Sequence, residues 1–388
     1  YLFILCMEKL ALSIQQLVDS NVWQPIHVSR GGPGITHLLF ADDVLLFAKA
    51  KVSQVKVIKS ALNVFCEASG LKINLSKSKM MCSTGVSRSV KEHLSQISQM
   101  RITTNLGRYL GFSLPNGRPQ RRDFLHILEK TNQRLAAWKL KLLNRVGKLC
   151  LIKSVVSSLP VYSMQVNWLP RGLCSDLEKS MRRFLWANKD KDRFQALVGW
   201  DQVTTDKGVG GLGIKDLRLM NSALLGKLIW SMLHDHDKPW VQILSSKYLK
   251  GDSVLNAKAP SSSSPAWRSI LLALQELRDG FLPKLNNGHS SLWYKDWTGL
   301  GCLCNLVDYV HISDTQLKVQ DFYTADGWNF NCLRTQLPSH LLDQLSPFPG
   351  PSNISAQDSF VWAASTSGVY STRSAYAWLK GTTNDTIQ

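Results

Sequence analysis

Residues 37–47, with the sequence HLLFADDVLLF, place two adjacent carboxylates between two short apolar runs. The runs extend from Ile35 to Phe40 and from Val44 to Phe47, and Ala41-Asp42-Asp43 separates them. Two apolar runs of strand length that are joined by a short turn are typical of a β-hairpin. We therefore predict a hairpin that carries Asp42 and Asp43 at its tip.

The acidic pair at the predicted hairpin tip has two interpretations. Carboxylates that are buried without partners cost free energy, so acidic residues at such a tip either bind a cation or face solvent in an ordinary turn. Taken alone, an Asp-Asp pair in a turn favours the solvent-exposed interpretation. The sequence around the pair therefore has to decide between the two.

The residues that flank the hairpin predict a region of mixed helix and strand. Apolar residues at helical spacing predict one helix from Met7 to Val18 and another from Gln54 to Ala68, which Gly70 ends. The sequence GGPG at residues 31–34 is typical of a turn. Short strands are predicted over residues 79–83 and 109–114.

The composition is that of a globular chain with its own core. The chain has 388 residues, of which 44% are hydrophobic and 19% charged, and this balance excludes a wholly disordered protein. No stretch approaches the roughly 18 apolar residues of a membrane helix, and no targeting signal is recognised. The eight cysteines are scattered and favour buried thiols in a reducing compartment. We expect an intracellular protein, nuclear or cytoplasmic, that does not bind membranes.

The net charge of +18 is concentrated in one block of the chain. Residues 101–200 hold 19 Lys and Arg against 6 Asp and Glu, whereas residues 201–388 hold 16 of each kind. A basic block indicates either a polyanion such as nucleic acid as the partner or merely a soluble basic surface. Charge alone does not decide between them.

Residues 120–235 have the pattern of an all-helical region. Between residues 124 and 149, apolar side chains recur every three or four positions, which predicts one long helix with a possible break at Gly147. A row of cations without interleaved acids lies along one side of this helix, and it favours contact with nucleic-acid phosphates over an ordinary solvated face. The cations are Lys130, Arg134, Lys141, Arg145 and Lys148.

A glycine-rich segment, Gly208-x-Gly210-Gly211-x-Gly213, follows in the same region. A dinucleotide-binding loop of this composition has to follow a strand and open a helix within a βαβ unit. No clear strand precedes the segment, so we do not interpret it as a dinucleotide site.

The hairpin and the motifs around it resemble the reverse transcriptases of non-LTR retrotransposons. Residues 37–47 resemble their catalytic hairpin in its Phe-Ala-Asp-Asp form. Residues 69–79, SGLKINLSKSK, resemble the next motif of the polymerase palm, and residues 108–111, RYLG, resemble the primer-grip turn. The order and spacing of the motifs also agree, and residues 2–10 resemble the tail of the motif that precedes the hairpin.

The resemblance continues toward the C-terminus. Residues 120–235 are similar to the thumb and connecting region of plant long interspersed elements (LINEs), and residues 362–376 resemble the start of the zinc-binding domain that follows such polymerases. The resemblance implies an α+β fold with four parts. These are a partial palm at 1–115, a helical basic thumb or connector at 116–235, a connector of unknown role at 236–350, and the start of a truncated zinc-binding-type domain at 351–388.

The resemblance also implies roles for individual residues. Reverse transcriptases use two Mg²⁺ ions, which activate the primer 3′-hydroxyl and stabilise the leaving pyrophosphate. Asp42 matches the principal metal-binding residue, Asp43 the second one, and Lys77 a lysine that assists the departing pyrophosphate. Tyr109, Leu110 and Gly111 match the turn that positions the primer. The row of cations would hold the RNA template and the DNA primer.

One part of the catalytic site is not found in the sequence. A two-metal site needs another Asp from an earlier palm strand, and neither Glu8 nor Asp19 fits because both belong to the first helix or its end. We therefore expect that strand and the fingers to precede residue 1, and we expect residues 1–388 not to polymerise by themselves. We expect Mg²⁺ in the intact polymerase and no zinc in this chain. The alternatives are a non-catalytic relic that binds nucleic acid and an unstable, non-functional fragment.

Overall fold

The structure, a computed structural model, describes residues 1–113, 119–136, 142–187, 195–325, 327–352 and 355–381. The chain divides into two compact units, which we call the N-terminal unit (Tyr1–Arg118) and the C-terminal unit (Pro119–Gln388). Among the described helices, none combines the length and the apolar character that crossing a lipid bilayer requires.

The N-terminal unit, as described over residues 1–113, combines three helices with four two-stranded sheets. The mixture of helices and strands agrees with the α+β class expected from the sequence. The helices are α1 (Leu2–Asp19), α2 (Val52–Ser69) and α3 (Arg88–Ser98). The antiparallel pairs are β1 (Ile26–His27) with β2 (Gly34–Ile35), β3 (His37–Phe40) with β4 (Asp43–Leu46), and β7 (Arg108–Tyr109) with β8 (Phe112–Ser113). The parallel pair is β5 (Lys79–Met80) with β6 (Arg101–Ile102).

The core of the N-terminal unit lies between α1, α2 and the hairpin formed by β3 and β4. Leu39 on β3 and Val44 and Leu46 on β4 pack against the buried face of the two helices. Successive side chains of a strand point to opposite faces, and Leu38 and Phe40 are accordingly exposed on the outer face of the hairpin. The buried members of this core are Met7, Leu10, Ile14, Trp23, Ala61 and Leu62.

A buried glutamine ties α2 to the chain segment that leads toward the hairpin. The Gln54 side-chain amide donates to the Val22 carbonyl oxygen at 2.9 Å, and its oxygen accepts from the Gln24 N–H at 2.8 Å. The buried Trp23 donates from its indole N–H to the Phe47 carbonyl oxygen at 3.0 Å, just past β4. Because these buried polar groups are all satisfied, residues 22–24 hold the base of the hairpin against α2.

The end of α2 is as predicted. The helix stops at Ser69, and Gly70 follows it in the left-handed region with a φ of 71°. Glycine has no Cβ and adopts this conformation without steric cost, which is why it so often ends a helix.

The C-terminal unit is helical over its first hundred residues. Its described residues up to 235 contain helices and no strand, as the sequence predicts. The helices of the unit are α4 (Leu125–Arg134), α5 (Arg145–Ser154), α6 (Val161–Met164), α7 (Arg171–Trp186), α8 (Trp200–Thr204), α9 (Leu217–His234), α10 (Pro239–Leu244), α11 (Pro265–Leu277), α12 (Ser339–Leu345) and α13 (Thr372–Leu379). Two antiparallel pairs follow: β9 (Phe281–Lys284) with β12 (Ser359–Trp362), and β10 (Tyr323–Thr324) with β11 (Gly327–Trp328).

The prediction of one long helix over residues 124–149 is wrong. The helix α4 ends at Arg134, and α5 begins only at Arg145. The residue before α5 is Asn144, whose side-chain oxygen accepts a hydrogen bond from the Gly147 N–H at 2.8 Å. An asparagine in this position satisfies an N–H that has no partner within the helix, and it therefore starts a new helix. Gly147 lies in the first turn of α5 rather than at a break.

The last described residues pack into the core around α9. The buried Tyr370 hydroxyl donates to the Ala223 carbonyl oxygen at 2.7 Å, and the Tyr376 hydroxyl accepts from the Asp216 N–H at 2.8 Å. At Gly226 a Cβ atom would overlap the Tyr370 hydroxyl, so only glycine lets the ring approach α9 this closely. The helices α9, α11 and α13 therefore share one hydrophobic core.

Another hydrophobic core of the C-terminal unit contains three of the tryptophans between residues 236 and 350, whereas Trp240 and Trp267 belong to the core around α9. Trp293 and Trp297 are buried together with Phe322, and the Trp328 ring lies 5.2 Å from the Trp297 ring, centroid to centroid. The buried Asp314 carboxylate accepts hydrogen bonds from the backbone and side chain of Thr335. Core packing is a structural role, and it accounts for the tryptophans of this region.

Candidate functional site

The hairpin of β3 and β4 turns through two residues, Ala41 and Asp42. Phe40 pairs with Asp43 across the hairpin, so Asp43 is the first residue of β4 and Asp42 lies in the turn. Both aspartates are exposed. The predicted hairpin with acids at its tip is therefore confirmed as a structure, and its carboxylates are accessible to solvent and to ligands.

The backbone at the tip of this hairpin is strained. Ala41 has a φ of 49°, in the left-handed region. This conformation costs an alanine roughly 1–2 kcal/mol because its Cβ approaches the following carbonyl oxygen. Strain of this kind persists only where the surrounding structure holds it, and it is concentrated at functional sites. Ala41 thus fixes the direction in which Asp42 leaves the hairpin.

The second predicted motif is also a hairpin tip. Tyr109 pairs with Phe112, and Leu110 and Gly111 form the two-residue turn between β7 and β8. Both turn residues have positive φ values, 50° for Leu110 and 82° for Gly111. Positive φ at both central positions is the pattern that matches the twist of a two-residue hairpin. The leucine is strained here in the same way as Ala41.

The charge of Asp43 acts on the phenol of Tyr109. Burial raises the pKa of the Tyr109 phenol, and the negative charge of Asp43 raises it further, because both disfavour the phenolate. The two residues come from separate sequence motifs of the same unit, and they lie within electrostatic range of each other. Tyr109 therefore stays protonated at neutral pH and can donate a hydrogen bond beside the acidic tip.

Lys77 lies in an exposed turn of the N-terminal unit. Asn74 organises this turn, since its side-chain oxygen accepts from the Ser76 hydroxyl at 2.6 Å and from the Lys77 N–H at 3.2 Å. Over residues 1–113 the structure shows no ion pair between Lys77 and either aspartate of the hairpin tip. The structure thus leaves Lys77 accessible without joining it to Asp42 and Asp43.

The hairpin tip does not complete a magnesium site. Within the described part of the chain, no three side chains of Asp, Glu, His or Cys are grouped so that they could hold a metal ion. Asp42 and Asp43 supply two carboxylates, whereas Mg²⁺ is held in near-octahedral geometry by several oxygen ligands.

The cations predicted to bind nucleic acid do not form one continuous row. Lys130 and Arg134 are exposed at the end of α4, and Arg145 is exposed at the start of α5. Lys141 lies outside the described residues. Because α4 and α5 are separate helices, helical periodicity no longer places these cations on one face.

Lys148 is a correction to the sequence prediction, because it does not lie on an exposed face. Its side chain is 5% exposed, and its ammonium group donates to the Ala187 carbonyl oxygen at 2.7 Å. Ala187 is the residue that ends α7. A cation at the C-terminus of a helix is stabilised by the last carbonyl groups and by the helix dipole. The position of Lys148 is thus that of a residue that holds α5 to α7.

Three further lysines were not predicted as a group. Lys153 on α5, Lys207 and Lys215 lie close together at the glycine-rich segment, where their charges interact. The glycine-rich segment itself is the signal that could have found Lys207 and Lys215. No local pattern in the sequence links Lys153 to them.

With the geometry in place, residues 1–114 match the family described as "Reverse transcriptase (RNA-dependent DNA polymerase)". Residues 1–114 therefore belong to the reverse transcriptase family. The match covers both hairpin tips, with Asp42, Asp43 and Tyr109. Members of this family act on nucleic acids and generally use Mg²⁺, in agreement with the partners and the cofactor expected from the sequence.

Two curated proteins of Arabidopsis thaliana are similar to this chain. One, named "Putative ribonuclease H protein", is 30% identical over 272 residues, which cover 66% of this chain and 42% of that protein. The other, named "Uncharacterized mitochondrial protein", is 32% identical over 142 residues, which cover 36% of this chain and 92% of that protein. The chain thus spans less than half the length of the first relative.

Proposed function

We propose that this reverse transcriptase chain is a fragment of an RNA-directed DNA polymerase from a non-LTR retrotransposon. In this proposal, residues 1–115 are the C-terminal part of the palm and residues 116–235 are a helical, basic thumb or connector. Residues 236–350 are a connector, and residues 351–388 are the start of a zinc-binding-type domain. The RNA template and the DNA primer are the partners.

The observation that carries the proposal is the hairpin tip with its two exposed aspartates. The strained Ala41 sets the direction of Asp42. The charge of Asp43 raises the pKa of Tyr109, the residue that precedes the turn at Leu110 and Gly111. A protonated phenol within electrostatic range of the Asp43 carboxylate suits a site where an anionic primer end must be positioned without an added negative charge. We assign Asp42 and Asp43 to the reaction centre and residues 109–111 to primer positioning.

The chemistry of the intact polymerase is two-metal nucleotidyl transfer. Bound Mg²⁺ supplies activation of the primer 3′-hydroxyl and stabilisation of the pyrophosphate leaving group. In the proposal Asp42 is the principal carboxylate ligand and Asp43 the second, and Lys77 neutralises charge on the departing pyrophosphate. Since the tip offers only two carboxylates, we assign the activity to the intact protein and not to residues 1–388 alone.

A second candidate function is nucleic-acid binding without catalysis. It is supported by the incomplete ligand set at the hairpin tip together with the exposed cations Lys130, Arg134 and Arg145. Contacts from such cations to phosphates are independent of base sequence and weaken as salt is added. In this case the chain would bind RNA and DNA alike and would not extend a primer.

Primer extension on an RNA template with Mg²⁺ tests the proposal. We compare residues 1–388, a longer polypeptide that also carries a preceding palm strand and fingers, and that longer polypeptide with Asp42→Asn. We expect no extension by residues 1–388, extension by the longer polypeptide, and loss of extension with Asp42→Asn because a metal ligand is removed. Asp19→Asn is the matched control, since Asp19 is an exposed acid at the end of α1.

The outcomes separate the two candidate functions. Full activity of the Asp42→Asn variant would refute the assignment of this residue. Salt-sensitive binding of nucleic acid by the longer polypeptide, without extension in any condition, would favour the binding function. Extension by residues 1–388 alone would show that a residue within them completes the site.

A further inference from the structure

The glycine-rich segment of the C-terminal unit has a fixed backbone. The Gly211 N–H donates to the Asp206 carbonyl oxygen at 3.0 Å, and the Gly213 N–H donates to the Thr205 carbonyl oxygen at 2.9 Å. A Cβ atom at Gly211 would overlap Thr205, so glycine is required for the chain to fold back this closely. Because these N–H groups are used within the loop, they are not free to surround a phosphate. The loop is instead a rigid support for the side chains around it.

Three lysines surround this support. The Lys153 ammonium group donates to the Leu212 carbonyl oxygen at 3.0 Å and lies 3.2 Å from the position that a Cβ of Gly213 would take. The Lys207 side chain lies on the same glycine, with its Cγ 3.5 Å from that position. Lys215 follows two residues after Gly213, and its ammonium nitrogen lies 4.3 Å from the centre of the Tyr376 ring, so it reaches the loop as a charge that acts on Lys153. The Leu212 carbonyl oxygen accepts a hydrogen bond from one of the three ammonium N–H groups of Lys153, and the other two can bind a ligand.

The three cations repel one another. Burial lowers the pKa of Lys153, and the positive charges of Lys207 and Lys215 lower it further, because each of these effects disfavours the ammonium form. Like charges that are held together by a rigid loop destabilise each other until an anion joins them. A bound anion would remove this repulsion.

The nearby carboxylates are already committed to other partners. Asp206 pairs with Lys380 at 3.3 Å, and Asp216 caps α9 by accepting from the Arg218 N–H at 2.7 Å and the Leu219 N–H at 3.0 Å. Across the part of the chain that the structure describes, no carboxylate forms an ion pair with any of the three lysines at the loop. The loop therefore carries a local excess of positive charge.

The surface around the lysines is open. Lys207 and Lys215 are exposed, and Cβ atoms at Gly208 and Gly210 would meet no other atom within 4 Å. An extended ligand can therefore pass over the loop without a steric barrier. An ammonium group is a compact point charge that contacts phosphate oxygens without reading bases, which suits a polymer of repeating phosphates.

We propose that Lys153, Lys207 and Lys215 form a phosphate-binding site on the glycine-rich loop, and that the phosphate is a phosphodiester of a nucleic-acid strand. The proposed function enters this proposal at one point only, because it identifies the bound phosphate as part of a nucleic acid. It assigns to nucleic-acid contact a group of residues distinct from Lys130, Arg134 and Arg145.

The test measures binding of the full chain to a labelled single-stranded RNA over a range of salt concentrations. The variant carries Lys207→Ala and Lys215→Ala, and its matched control carries Lys258→Ala and Lys284→Ala, which remove two exposed lysines from the same unit. We expect a several-fold loss of affinity in the variant only. We also expect the slope of log affinity against log salt to flatten by about 1.4, since each phosphate contact with a single strand contributes roughly 0.7.

A second arm identifies the source of the phosphate. Inorganic phosphate is titrated into the same proteins, and its binding is followed by the chemical shifts of the lysine side chains. If inorganic phosphate binds the unaltered chain but not the variant, and RNA affinity is equal in both, the site takes free phosphate and the phosphodiester is refuted. If neither ligand distinguishes the variant from its control, the whole proposal is refuted. Equal melting temperatures of the two double variants would show that the comparison reports binding and not unfolding.

This test is independent of catalysis. A failure of primer extension would overturn the proposed polymerase function and leave the binding comparison intact. Conversely, equal binding by the variant and its control would overturn the loop site without touching the role of Asp42.

Discussion

The Tyr376 hydroxyl accepts a hydrogen bond from the backbone N–H of Asp216 at 2.8 Å, so α13 is joined directly to the residue that caps α9. The Asp216 side chain accepts hydrogen bonds from backbone N–H groups in the first turn of α9, and its own backbone N–H donates to the phenol oxygen of Tyr376. The residues that resemble the start of a zinc-binding domain thus complete the core of the helical unit.

The approach of Tyr370 to α9 depends on Gly226. We expect Gly226→Ala to lower the free energy of unfolding by about 1–3 kcal/mol, because the added methyl group overpacks a filled site. Gly172→Ala on α7 is the control, since a Cβ there meets no atom and alanine favours a helix by up to about 1 kcal/mol. Urea unfolding measures both. Equal effects of the two substitutions would contradict the packing described for Tyr370.

The buried phenol of Tyr376 predicts a loss of stability at high pH. Burial raises its pKa to about 12, from 10.0 for an ordinary tyrosine. The folded state therefore favours the neutral phenol. The contribution of this phenol to the free energy of unfolding is complete below pH 10 and is lost as the pH rises toward 12. We expect Tyr376→Phe to unfold with a shallower pH dependence between these values, measured by urea unfolding at each pH. Tyr309→Phe, at an exposed tyrosine, should keep the slope of the unaltered chain.

The strain at Ala41 predicts that glycine is tolerated at the hairpin tip. Ala41→Gly removes a left-handed alanine, a relief of roughly 1–2 kcal/mol, and adds backbone freedom to the unfolded chain worth about 0.4–1 kcal/mol. The expected result is a stability equal to or slightly above that of the unaltered chain. Ala68→Gly, in α2, should instead destabilise by up to about 1 kcal/mol. If thermal unfolding shows the same loss for both, Ala41 is not strained.

We predict opposite effects on stability and RNA affinity when the same substitution is made at Lys148 and at Lys130. Lys148→Met removes a charged donor from the end of α7, and we expect a loss of about 1–2 kcal/mol in stability with unchanged affinity for RNA. Lys130→Met, on the exposed end of α4, should leave stability unchanged and weaken RNA binding at low salt. Unfolding and binding measured on the same samples check both. A weakened affinity of the folded Lys148→Met variant would restore the original prediction for this residue.

The hairpin could be predicted from the sequence because its signals are local. Alternating burial in β3, a two-residue turn and the cap at Gly70 all depend on neighbouring residues. The α+β class follows from the same signals. The influence of Asp43 on Tyr109 did not follow from them, because it depends on where the tertiary fold places two segments that are distant in the sequence.

The predictions that failed depend on contacts between distant parts of the chain. The apolar spacing over residues 124–149 continues across the end of α4, so periodicity does not reveal that Asn144 starts a new helix. The burial of Lys148 is due to the end of α7, which no pattern around Lys148 encodes. The group of lysines at the glycine-rich loop could not be predicted for the same reason, since Lys153 reaches the loop from α5.

The outer face of the β3–β4 hairpin affects how this protein has to be studied. Leu38 is 49% exposed and Phe40 60% exposed, on a two-stranded sheet whose edges can pair with another strand. Added salt weakens contacts with phosphates, and sulfate or phosphate salts at the same time strengthen apolar association. As the concentration of such a salt is raised, RNA binding therefore weakens while association through exposed apolar side chains is strengthened. Chloride salts and dilute protein therefore give the binding curves that report on phosphate contacts alone.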